Sequence, residues 1–154
     1  MKKILNYSEL LENEKTNNLL EEIYNLTKKI EKDYPAHYDW YHNKFIKELD
    51  GVKREIIFCK LNNEVVAVSL LKKSESKICT IMVDPNYRKM GIGTALMKAS
   101  FKFLGTTKPF ITMPEYKKEC FKYYIKKYHW NLNQTIESCY SDNNELVYNG
   151  YLKK

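Results

Sequence analysis

Seven consecutive residues, Arg88-Lys89-Met90-Gly91-Ile92-Gly93-Thr94, set two cations beside two glycines where a buried strand at 78–83 gives way to a helix. A helix N-terminus leaves backbone N–H groups unpartnered and carries a partial positive charge. Glycines at 91 and 93 let the backbone approach a ligand closely and take conformations closed to other residues. Arg88 and Lys89 add full charges. The chemistry this spacing suits is anion binding, of a phosphate or pyrophosphate.

The anion can be narrowed by what the loop lacks. A dinucleotide fingerprint, G-x-G-x-x-G/A, needs a small residue at 96, and Leu96 stands there. The phosphate loop of nucleotide hydrolases needs a Gly-Lys-Ser/Thr triplet, which is absent from the chain. What remains is strand, V-x-P, R-x-x-G-x-G and an amphipathic helix. This resembles motif A of the GNAT superfamily, the acyl-CoA-dependent N-acetyltransferases, whose pattern is [Q/R]-x-x-G-x-[G/A]. Val83, Pro85, Arg88, Gly91 and Gly93 match it in order. The specific match spans residues 84–94 and their flanks.

The resemblance implies acetyl-CoA as co-substrate, no metal, and direct attack by a primary amine of a small-molecule or peptide acceptor in a ternary complex. It implies that the backbone of Ile81, Met82 and Val83 pairs with the pantetheine arm, one amide facing the thioester oxygen. The pyrophosphate would sit on the amides of Lys89, Met90, Gly91, Ile92, Gly93 and Thr94, with Arg88 opening the loop. Family members often protonate the departing sulfur with a tyrosine on the helix after the fifth strand. That helix's F-Y-x-x-x-G-F ending corresponds to residues 124–130. Counted without gaps, the tyrosine column falls on Ile125 and His129 replaces the glycine; a shift of one residue brings Tyr124 into place.

For the base, Glu115 at the end of the fifth strand and His42 are the candidates, with Thr80 able to position a water and proton loss to bulk water as an alternative. Two other functions stay open. One is a non-catalytic acyl-CoA-binding or sensor module, favoured by the irregular tyrosine. The other is acetylation of aminoacyl-tRNA, suggested by a pI near 9.1.

These residues need a scaffold. Residues 3–7 read as a short strand. Apolar residues at Leu19, Leu20, Ile23, Leu26 and Ile30 give a helix over 15–32. Pro35 breaks it, and Asp39 is the expected N-cap of a second helix ending near Leu49. The aromatic stretch 33–49 is expected to wall the acceptor site. Strands at 54–61 and 65–72 form a hairpin around Asn62-Asn63. The helix after the loop places Ile92, Ala95, Leu96, Ala99, Phe103 and Leu104 on one face, with Gly105 as terminator. A strand at 110–113, a helix carrying Phe121, Tyr124, Ile125 and Tyr128, and a hairpin of 134–140 with 145–151 complete the order. The expected fold is α/β: two N-terminal helices and a central mixed sheet with helices on both faces, of the GNAT type, as a single N-acetyltransferase domain over residues 1–154.

Composition bounds the rest. The net charge of +7 divides unevenly: −2 over residues 1–50, +6 over 51–107 and +3 over 108–154. The basic excess coincides with the cofactor segment, as a polyanionic nucleotide requires. The acidic, aromatic first third favours a cationic acceptor and argues against tRNA; no nucleic-acid module is present. No apolar run approaches the ~18–20 residues that cross a bilayer, and the first residues have no signal-peptide pattern. Cys59, Cys79, Cys120 and Cys139 form no C-x-x-C pair and read as reduced thiols of a cytoplasmic protein, Cys79 as a packed core thiol. A homodimer is compatible with all of this.

Overall fold

Strand-forming runs of Val, Ile and Leu build two sheets in the computed structural model, which describes residues 2–152. β1 (Lys2–Asn6), β2 (Arg54–Leu61), β3 (Glu64–Lys72) and β4 (Lys77–Val83) form a four-stranded antiparallel sheet in that order. β5 (Ile111–Pro114), β6 (Leu132–Ile136) and β7 (Glu145–Tyr148) form a second, ordered β5-β7-β6. The sheets meet at one parallel bridge, Lys77 opposite Phe110, where Ile78 N donates to Phe110 O at 3.0 Å. The mixed sheet is therefore split. Beyond the bridge, β4 and β5 are facing edges with no pairing between them.

Alternation along β2 sends Ile56 and Phe58 to one face and Ile57 and Cys59 to the other, all four fully buried. α1 (Asn17–Thr27) covers the first face; the Thr16 hydroxyl caps it by accepting from Leu19 N at 3.0 Å. A 3-10 segment, Lys28–Lys32, carries the chain to the end of the expected helix. α2 (His37–Trp40) passes into a π-helical turn, Tyr41–Phe45. That turn sets Tyr41 and Phe45 in the core, both 0% exposed and stacked at 5.9 Å. The Asp39 cap is corrected here. Ala36 holds the N-cap position, because a turn with Pro35 second (His37 N to Tyr34 O, 2.9 Å) starts the helix earlier. Asp39 instead accepts from Asn43 Nδ2 at 2.6 Å.

α3 (Ile92–Leu104) covers the opposite face and ends at Gly105, φ 75°. Its buried stripe is Ile92, Leu96, Met97, Ser100, Phe101 and Leu104, so the expected Ala95, Ala99 and Phe103 lie at its margin, partly buried. Each fully buried apolar side chain of this kind contributes about 1.5–3 kcal/mol. Ser100 remains in the stripe because its hydroxyl meets Ser69 Oγ at 2.8 Å, joining α3 to β3. α4 (Lys118–Lys127) lays Phe121, Tyr124 and Ile125 on the same core. The last hairpin is shorter than expected: β6 stops at Ile136 and β7 at Tyr148. Residues 137–144, ESCYSDNN, offer no apolar alternation to extend a strand.

Candidate functional site

The loop between β4 and α3 is built by local bonds. The Asp84 carboxylate accepts from Asn86 N at 2.9 Å, and Pro85 starts a 3-10 turn, Pro85–Tyr87. Arg88 Nε donates to Val83 O at 3.2 Å, tying the loop to the end of β4. Lys89 and Gly91 both take left-handed backbone, φ 64° and 80°. Gly91 is the N-cap of α3 and no side chain caps that end, so the first amides of the helix are left for a ligand. The two glycines differ in role. Gly91 is required by its backbone, whereas Gly93 has no left-handed φ, and a Cβ there would meet only Val83 Cγ2 at 3.7 Å. The expectation that both take unusual conformations is thus corrected for Gly93, whose missing side chain keeps clear the space above the first turn.

Ile81, Met82 and Val83 lie on the edge of β4 that faces the split, all partly exposed. Upstream, β4 bulges: Thr80 pairs with Leu70 and Ile78 with Leu71, leaving Cys79 unpaired. Cys79 is not wholly enclosed in the core. Its Sγ lies 3.7 Å from Arg54 Nη1 and it lines a cleft, while burial pushes its thiol pKa up and keeps it neutral.

That cleft, about 1050 Å³, opens on the side of the sheet covered by α1 and α2. Tyr34, His37 and Trp40 form one wall; Thr80 on β4 and Phe110 and Thr112 on the second sheet form the other. The aromatic stretch therefore does wall a cavity. Its acids do not: none of the ten Asp and Glu of residues 1–50 lines it. Asp33 is buried against Tyr116 and Lys117, Glu48 bonds Arg54 and Glu21 bonds His42. The charged lining is Lys44, Arg54, Lys72 and Lys77 against Glu75. The net charge of residues 1–50 is thus not the charge of the cleft they wall, because these carboxylates turn to partners elsewhere.

Among the three tyrosines of the last helix region, geometry separates their roles. The Tyr124 hydroxyl lies 3.4 Å from Thr94 Oγ1, at the N-terminus of α3. Tyr123 is 57% exposed and bonds Lys127, and Tyr128 packs edge-on against Phe101 at 5.0 Å. Ile125, the ungapped match, packs on the core. Glu115 is exposed just past β5, its carboxylate accepting from Asn144 Nδ2 at 3.2 Å. His42 stands outside the cleft, between Glu21 Oε2 and Tyr38 O.

Two further titratable residues, His37 and Glu145, are buried near the cleft. His37 lines the cleft and its Nε2 meets Thr27 Oγ1 at 2.8 Å. That hydroxyl donates to Tyr24 O at 2.9 Å, so Nε2 carries the proton and Nδ1 is left as an acceptor. Burial, with His42 adding to it and Glu31 opposing, lowers the His37 pKa from 6.5 to about 4. Glu145, 3% exposed, accepts from the Tyr34 hydroxyl at 2.6 Å; burial raises its pKa while bonds from Tyr34 and Thr112 oppose the rise. No sequence signal joins Tyr34 to a partner 111 positions away. Among the described residues no group of three or more His, Cys, Asp or Glu could hold a metal, and no helix is long and apolar enough to cross a membrane.

Comparison with known proteins agrees with this geometry. No curated protein sequence matches the chain significantly. Among solved structures, the ribosomal-protein-S18-alanine N-acetyltransferase of Escherichia coli superposes with TM-score 0.64 at 13% identity, covering 96% of this chain and 92% of that one. A GNAT family acetyltransferase of Elizabethkingia anophelis, solved with acetyl-CoA bound, gives 0.56 at 13% identity, with 96% and 95% covered. Nourseothricin acetyltransferase gives 0.54 at 16% identity; the match covers 62% of this chain and 64% of that one, under two thirds of its length. Identities this low establish a shared fold. The family model described as the acetyltransferase (GNAT) family matches residues 17–107, from the start of α1 through the glycine-bearing loop and α3. The chain belongs to the GNAT acetyltransferase family.

Proposed function

We propose that the protein transfers the acetyl group of acetyl-CoA to a primary amine of a small-molecule or peptide acceptor, within a ternary complex. One observation carries the reading: β4 runs from Cys79 and Thr80, which line an aromatic-walled cleft, to Val83, whose carbonyl holds Arg88 at the loop before the uncapped N-terminus of α3. The residues present fit the co-substrate. The first amides of α3 and the charges of Arg88 and Lys89 suit its pyrophosphate. The unpaired edge at Ile81, Met82 and Val83 suits the amides of its pantetheine arm.

Acetyl-CoA supplies the activated acyl carbon. The amine nitrogen forms a bond to that carbon with its lone pair, the C–S bond breaks, and the amine gives up a proton. Tyr124 is assigned as the acid that protonates the departing sulfur, because its hydroxyl lies beside Thr94 at the head of α3. Glu115, just past the end of β5, is assigned as the proton acceptor, acting through water. Calorimetry should show acetyl-CoA binding that survives a chelator, and CoA thiol should be released when an amine is added. Absence of binding at millimolar acetyl-CoA would overturn the reading.

A further inference from the structure

We infer that the cleft takes an acceptor bearing an anionic group, a carboxylate or a phosphate, beside its amine. This rests on the acetyl-transfer reading and names the class of its acceptor. Lys44, Arg54, Lys72 and Lys77 line the cleft against one carboxylate, Glu75. Local pairing does not cancel them. Lys72 meets Glu75 at 2.7 Å and Arg54 meets Glu48 at 2.7 Å, but among the described residues Lys44 and Lys77 have no carboxylate within ion-pair distance. Lys77 stands at the bridge that closes the narrow end of the split, its ammonium 5.0 Å from the Phe110 ring centre. Lys44 lines the same cleft from the π-helical turn.

Arg54 is fixed in the same lining. It is 2% exposed, held by Glu48, and lies 5.7 Å from the Trp40 ring centre and 5.3 Å from that of Phe45. A cluster of one sign in a walled cleft concentrates counter-charge and repels like charge. A polyamine is therefore disfavoured, and an amine tethered to an anion is drawn in. Tyr34, Trp40 and Phe110 offer apolar surface for the carbons between the two groups. The same cations assist the chemistry. Neighbouring positive charge disfavours an ammonium, so the bound amine gives its proton to water more readily and presents the lone pair that attacks.

The test compares acceptors on the full chain: glutamate and phosphoethanolamine as anionic amines, ethanolamine as neutral, spermidine as cationic. The anionic pair should exceed the others by about tenfold or more in kcat/KM, with the margin shrinking as salt rises. Which of the two leads identifies carboxylate or phosphate as the source. The double variant Lys44→Gln/Lys77→Gln, at two side chains outside the core, should raise KM for the anionic acceptors about tenfold. It should leave acetyl-CoA affinity unchanged. If spermidine or ethanolamine is acetylated as well as the anionic amines, the inference falls and the transfer reading stands. Acetyl-CoA binding with transfer to no amine overturns both, and no binding at all overturns the co-substrate assignment beneath them.

Discussion

Tyr124 and His37 carry the sharpest expectations at the scale of single residues. Tyr124→Phe removes one hydroxyl and little volume from a half-buried ring stacked near Trp130 at 6.2 Å. Turnover should fall by ~10²-fold while acetyl-CoA affinity stays level, the usual scale for a positioned acid. Tyr123→Phe and Tyr128→Phe, one pointing to solvent and one packed on α3, should retain activity. Equal activity in all three would remove a helix tyrosine from the mechanism. For His37 the folded pKa of about 4 lies below its ordinary 6.5. The unfolded chain then binds the proton first, so stability is full above pH 6.5 and lost as pH falls toward 4. The shift corresponds to about 3 kcal/mol. Denaturant titrations across that window should show a shallower pH dependence in His37→Gln than in the parent. Parallel curves would refute the assignment.

At the scale of elements, the loop and α3 make a separable pair of predictions. Gly91 holds φ 80°, so Gly91→Ala should cost roughly 1–2 kcal/mol of stability, read as a lowered Tm. A Cβ at Gly93 meets only Val83 Cγ2, at the ordinary contact distance of 3.7 Å, so the fold of Gly93→Val should survive. Its branched side chain would occupy the space over the first turn where the pyrophosphate is assigned, and acetyl-CoA affinity should fall at least about tenfold, or ~1.4 kcal/mol. Unchanged affinity in the folded variant would place the anion elsewhere. The contrast separates a glycine that the backbone needs from one that a ligand needs.

At the scale of the whole molecule, two sheets share one parallel bridge and face each other across an unpaired gap. A ligand lying in the gap couples them. With acetyl-CoA at about a hundred times its dissociation constant, stability should rise by about 2.7 kcal/mol. For a chain of this size that is a Tm increase of roughly 5–10 °C in a thermal melt. A melt unaffected by acetyl-CoA would argue against binding in the gap.

The sequence by itself determined the elements whose signals are local. Asn62-Asn63 reads as a tight turn because Asn tolerates positive φ, and both residues adopt it, at 53° and 67°. The loop before α3 was legible because glycine, arginine and helix onset fall within seven residues. The split of the sheet was not legible, since it depends on β4 and β5 pairing only at Lys77 and Phe110, 33 residues apart. Nor was the sign of the cleft. Arg54, Lys72 and Lys77 come from three strands and Lys44 from a helical turn, and only packing turns them toward one space while Glu21, Asp33 and Glu48 find partners elsewhere. Local backbone preference is written in adjacent residues; the charge of a cavity is a sum over distant ones, which only the tertiary structure assembles.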